Sequence, residues 1–185
     1  MKKTLLATLI LTVAGSAVFA ATNVWNQQPE MPKPGAQHKA LQQTVGTWEG
    51  TITMFMPGVP EMPMPAKDVV TSSGPFWVHS SFTTPMGPGM EYNGFGYTGY
   101  DPIAKEYVGT WMDNVGTTFS VMKGNHDKEG KVLTMTWTAP NEMGVMTEMS
   151  NETVRTKNAY TMTFFANGEK NMLIDMKRAV EADSK

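Results

Sequence analysis

The chain has 185 residues, 41% of them hydrophobic and 17% charged, with a formal net charge of −2. Arg155 and Arg178 are the only arginines and no basic run occurs, which argues against nucleic acid as a partner and against tight binding to anionic membranes. Cysteine is absent, so disulfides, thiol chemistry and cysteine-held zinc are excluded.

The N-terminus carries a three-part export pattern. Lys2 and Lys3 precede an apolar stretch from Leu5 to Val18, broken by Thr8, Thr12 and Ser16, and Val18-Phe19-Ala20 supplies a cleavage context. Residues 1–20 are therefore expected to be a signal peptide cut after Ala20, which directs the mature chain to the periplasm or the exterior. The stretch is shorter than the ~20 apolar residues that cross a bilayer, and no later stretch is as apolar, so no membrane span is expected. The mature chain keeps 13 basic residues against 17 acidic ones, a net charge near −4. It also keeps 16 of the 17 methionines, well above ordinary usage.

Residues 21–35, with Pro29, Pro32 and Pro34 and no apolar period, read as a flexible tether. A single domain is expected over residues 36–180. It begins with a short helix over 37–43 that stops before Gly46. Strand signals follow at 48–56, 67–73, 76–84, 92–100, 107–111, 116–123, 132–138, 145–153, 160–164 and 170–177. The clearest is 132–138, where Leu133, Met135 and Trp137 share one face and Thr134, Thr136 and Thr138 the other. Turn residues such as Asn114, Gly124-Asn125, Glu129-Gly130 and Asn167-Gly168 separate the strands. About ten short strands in hairpin rhythm predict an all-β antiparallel meander. Closure into a barrel is favoured because an open sheet leaves two unpaired edges.

Several spaced motifs carry a family resemblance: His38-Lys39-Ala40-Leu41, Gly46-Thr47-Trp48-Glu49-Gly50, Gly99-Tyr100-Asp101-Pro102, and Tyr107-Val108-Gly109-Thr110-Trp111-Met112-Asp113. Together they resemble the bacterial domain of unknown function 1579, over about residues 36–178. That family is grouped with lipocalin-like (calycin) barrels, so the resemblance implies a roughly ten-stranded barrel with a short N-terminal helix. It also implies that Trp48 plugs the closed end under a basic side chain from the last strand, here Arg178 before Lys177. Nitrobindins, related haem-binding barrels, hold iron through a histidine late in the chain. The last histidine here is His126, so no haem and no other cofactor is expected.

The candidate chemistry is sparse. His38, His79 and His126 are scattered and form no metal-ligand spacing. His38 suits a bond to the barrel base, and His126 lies in a polar segment that reads as a turn. Asp101 and Asp113 suit side-chain-bonded turns at opposite ends of one strand, too far apart for an acid/base pair. No nucleophile elbow or phosphate loop occurs. The methionines Met54, Met56, Met62 and Met64 are soft ligands that suit Cu(I), and they raise copper handling or oxidant absorption as an alternative. Methionine also fills irregular apolar space and lines adaptable surfaces, as the strand-borne Met135, Met162, Met172 and Met176 suggest. Tyr107, Trp111, Phe119, Met135, Trp137, Tyr160 and Phe164 share the apolar parity of their strands and are the candidate lining of a pocket. Trp77 lies in a strand whose faces the pattern does not assign. The expectation is a non-enzymatic binder of a small apolar ligand, with a structural or partner-binding barrel as a further alternative.

Overall fold

A computed structural model describes residues 31–141 and 143–180, so the signal segment and most of the tether lie outside the described residues. The chain divides into two units, Met1–Lys33 and Pro34–Lys185, and the second carries every element below. Residues 31–35 have no regular structure and lead into helix α1 (Ala36–Gln42). Ten strands follow: β1 (Gly46–Met54), β2 (Met64–Ser73), β3 (Trp77–Gly87), β4 (Met90–Asp101), β5 (Glu106–Asp113), β6 (Ser120–His126), β7 (Val132–Pro140), β8 (Met146–Arg155), β9 (Ala159–Ala166) and β10 (Glu169–Arg178). Each pairs antiparallel with the next, and β10 returns to β1 to close the barrel. The closing seam runs from Trp48 opposite Arg178 to Met54 opposite Met172.

Side-chain alternation explains why the meander closes. In β1 and β10 the inward positions are Trp48, Ile52, Ile174 and Met176, all buried, while Glu49, Asp175 and Lys177 face solvent. The period of two puts an apolar face inside on most strands, β8 with Thr147, Asn151 and Thr153 being the polar exception, and closure leaves no edge. The strand limits differ from the sequence reading by up to four residues, with β2 beginning at Met64 rather than 67 and β3 running to Gly87 rather than 84, and three further differences bear on the site. β1 ends at Met54, so Phe55 and Met56 belong to a loop. β6 runs over 120–126 rather than 116–123, which makes His126 its last residue; the turn that follows is built on Asp127. β8 continues two residues past 153 to Arg155.

Helix α1 sits under one end of the barrel. His38 and Leu41, one turn apart, are its buried residues. Gly35 N donates to His38 Nδ1 at 3.0 Å, so the ring proton is on Nε2, which donates to Tyr100 O at 3.0 Å. Gln42 Nε2 donates to Gly74 O and Trp77 O, fixing the helix C-terminus to the β2–β3 turn. Among the described residues no helix is long and apolar enough to cross a membrane.

The Gly46-Thr47-Trp48 motif closes this end. Trp48 is fully buried, its Nε1 donates to Thr44 O, and the Arg178 guanidinium carbon lies 4.2 Å from its ring centroid. Arg178 also donates through Nη1 to Val45 O, Nη2 to Gln43 O and Nε to Lys157 O. Gly46 adopts φ 144°, and any Cβ there would overlap Arg178 Nη1. The glycine is thus the space the guanidinium occupies. Lys177 faces outward instead. Arg178→Ala should cost about 2–3 kcal/mol, from a ring contact and charge-assisted bonds to carbonyls. That corresponds to a melting point about 5–10 °C lower by circular dichroism, with Arg178→Lys intermediate. An unchanged melting point for Arg178→Ala would show that the pairing contributes nothing.

Candidate functional site

The barrel lumen collects most of the chemistry. Of the seven predicted lining residues, six face inward. Tyr107, Met135 and Tyr160 are buried, and Trp111 and Phe164 pack against the buried cluster. Trp137 meets Phe164 edge-on at 6.2 Å, on the same face of β7 as Met135. Phe119 does not join them. It precedes β6, whose inward residues are Ser120, Met122 and Gly124, and it is 55% exposed in the β5–β6 connection. Trp77 lies on the outer face, its ring over Gly99, beside a second outward group of His79, Phe95 and Tyr97.

The wall is apolar but not closed off. Trp111, Met122, Met162, Phe164 and Met172 face the core yet keep partial exposure, whereas Trp48, Met176 and Tyr160 at the helix-covered end are 0%, 0% and 3% exposed. Among the described residues no helix or strand crosses the opposite end. There the β1–β2 loop and the β9–β10 hairpin enclose an open depression of about 450 Å³, lined by Phe55, Met56, Val59, Ala166, Lys170 and Asn171. Lys170 Nζ lies 4.0 Å from the Phe55 ring centroid.

The four candidate copper methionines divide. Met54 and Met64 take the inward positions of β1 and β2 at the mouth, and Met64 packs on the core. Met56 and Met62 project from the intervening loop, 53% and 73% exposed. Among the described residues no group of three His, Asp or Glu side chains is placed to hold a metal.

Two polar networks cross the lumen wall that the sequence did not reveal. The first centres on Asp68, buried on β2. Ser80 Oγ donates to Oδ1 at 2.5 Å and Tyr160 Oη to Oδ2 at 2.9 Å. Arg155 lies over the Tyr160 ring at 4.1 Å and the Trp48 ring at 4.9 Å. Burial pushes the Asp68 carboxyl above its ordinary value, against the lowering pull of Ser80, Tyr160 and Arg155. Burial, then the Asp68 charge, likewise raises the Tyr160 phenol. The second network joins Trp111 Nε1 to Tyr92 Oη at 2.8 Å, and Tyr92 Oη to Asp113 Oδ2 at 3.2 Å. Burial is the main reason the Tyr92 phenol is pushed up to about 12. Asp113 Oδ1 accepts from Val115 N and Gly116 N, and Asp101 Oδ1 from Ile103 N and Ala104 N. Both acids therefore build turns, as expected.

With this geometry in view, the chain belongs to the family described as protein of unknown function DUF1579, whose match covers residues 33–180. No curated protein matches the sequence significantly. Among solved structures, the fold is similar to that of Rv2717c from M. tuberculosis, with TM-score 0.59 and 12% identity over 80% of this chain and 100% of that one. It is also similar to the S-type phycobiliprotein lyase CPES from Guillardia theta, with TM-score 0.53 and 9% identity over 78% of this chain and 93% of that one. At these identities the likeness establishes the barrel alone.

Asp68 gives the site a measurable signature. Its folded carboxyl holds a proton more tightly than the unfolded one, whose ordinary value is 3.8. Its contribution to stability is therefore fully present below that value and is lost as pH rises through the folded value. Asp68→Asn removes the titration. The stability of the wild type relative to Asp68→Asn should fall from acid toward neutral pH in denaturant titrations. A difference that stays constant or grows with pH would contradict the burial effect.

Proposed function

We propose that this chain is an exported, non-enzymatic barrel that takes a small, largely apolar molecule into its lumen from the end opposite α1. The observation that carries the reading is an inward-facing wall of Trp111, Met122, Met162, Phe164 and Met172 left incompletely buried by its own chain. A self-sufficient core packs such side chains against one another, and apolar surface facing a concave, partly open space is the usual lining of a ligand site. Methionine suits that role because its unbranched thioether adapts to varied shapes. Catalysis has no comparable support: the carboxylates of both networks are engaged before any substrate arrives, Asp68 by Ser80 and Tyr160, Asp113 by Tyr92 and two backbone amides. The fold shared with a phycobiliprotein lyase is compatible with a binding barrel at the level of architecture.

The reading is tested by titrating the mature protein with the apolar fluorophore N-phenylnaphthylamine. Saturable enhancement at one site is expected, and Met162→Trp, which fills the lumen, should weaken it about tenfold or more. Unaltered binding by a folded Met162→Trp protein would place the probe elsewhere and end the proposal. Native mass spectrometry of protein from its own host should show a bound small molecule. Export rests on residues 1–20, and the N-terminal sequence of the mature protein should begin at Ala21.

A further inference from the structure

Within the lumen, the two arginines of the chain are used very differently. Arg178 spends its donors on three backbone carbonyls. The Arg155 guanidinium contacts the rings of Trp48 and Tyr160 and makes no hydrogen bond, and its Nη1 is buried without a partner. A guanidinium offers five N–H donors in a planar fork that matches a carboxylate. Leaving such a donor dry and unpaired is costly. Four residues earlier on β8 and on the same inward face, Asn151 Oδ1 is also buried and unpaired. The inward face of β8 thus holds two orphaned polar atoms.

The charges at this end are unequal. Arg155 and Arg178 both lie over Trp48; among the described residues the Tyr160 phenol and Asp68 act favourably on Arg155, and Asp68 is the carboxylate of the two. With Asp68 ionised the group carries one positive charge in excess, and protonation of Asp68 increases the excess. Asp68 forms no direct ion pair with the guanidinium; its two oxygens accept from Ser80 and Tyr160. Contact with the Trp48 and Tyr160 rings holds the guanidinium in place in advance, so less freedom is lost when an anion docks.

We propose that Arg155 is the anchor for the head of the ligand, and that the ligand is an apolar monocarboxylic acid. The carboxylate lies against the Arg155 fork near the closed end, and the apolar body runs toward the mouth along Met162, Phe164 and Trp137. This rests on the lumen reading above and adds to it the ligand's chemical class and orientation.

The experiment is competition against N-phenylnaphthylamine by decanoate and by decanol, which share an apolar body and differ in the head. The wild-type protein should prefer decanoate by about tenfold or more, the range of a hydrogen bond to a charged group. Arg155→Met should erase that preference by weakening decanoate while leaving decanol within about twofold. Arg155→Lys, which keeps the charge and loses the fork, should retain part of the preference and covers the case in which Arg155→Met does not fold. Equal binding of the two probes by the wild type, as expected if water alone meets Nη1, overturns the proposal and leaves the lumen reading standing. A decanoate preference that persists undiminished in every variant that folds overturns it too. Failure of both probes to displace the fluorophore removes the lumen reading and this proposal with it.

Discussion

The closed end of the barrel depends on how one indole is surrounded. Trp48 lies opposite Arg178 in the β1–β10 register, which is the seam that turns the meander into a barrel. The Arg178 guanidinium covers the ring and ties the β10 end to the carbonyls of Gln43 and Val45 below and of Lys157 in the β8–β9 turn. One side chain therefore joins the seam, the helix exit and a neighbouring hairpin. Gly46 is required for this, since a side chain there would take the place of the guanidinium. In a chain without disulfides such a junction restrains the first and last strands, which otherwise come together only by long-range closure of the whole sheet.

That arrangement also sets the electrostatics of the lumen. Stacking two guanidiniums on one ring needs compensation, and Asp68 provides part of it from inside the wall. Burial raises the Asp68 carboxyl despite two hydrogen bonds and a nearby cation. Ionising Asp68 there thus carries a burial cost that its hydrogen bonds and the nearby cation do not fully offset. Polar groups kept inside a barrel at that cost, with Arg155 Nη1 and Asn151 Oδ1 left unpaired on β8, are better accounted for by something that enters than by stability. The Tyr92–Trp111–Asp113 chain contrasts with it. Its members satisfy one another and the β5–β6 turn, so its role is to hold the mouth-side wall in shape.

Much of the fold was legible because strand parity and turn chemistry are local. The alternation in β7 and the Asx turns at Asp101 and Asp113 needed only neighbours in sequence, and the family motifs supplied closure and the Trp48–Arg178 pair. The lumen's polar side was not legible for two reasons. Asp68 and Tyr160 are 92 residues apart and meet only through closure. Arg155 lies beyond 153, and the inward face of β8 (Thr147, Met149, Asn151, Thr153) carries little apolar signal, so the sequence reading of that strand ends before the residue that matters most. Phe119 failed in the opposite way. An aromatic beside a strand resembles lining until the register shows that β6 begins one residue later, with Ser120 facing inward.

The helix contributes to the same design from below. Its two buried side chains, His38 and Leu41, dock it beneath β3 and β4, and His38 engages both its own N-terminus through Nδ1 and the end of β4 through Nε2. With one end covered, entry is left to the mouth, where the long β1–β2 loop carries Phe55, Met56 and Val59 over a depression bordered by Ala166 of the inward face of β9. A loop of this length with exposed apolar side chains contributes little to the core and leaves the adaptable surface where a ligand must pass. The division of labour follows from the two ends: rigid, stacked and charged at Trp48, soft and methionine-lined at Met54 and Met64. An amphipathic molecule entering by its charged head meets the matching chemistry only after its apolar body is inside.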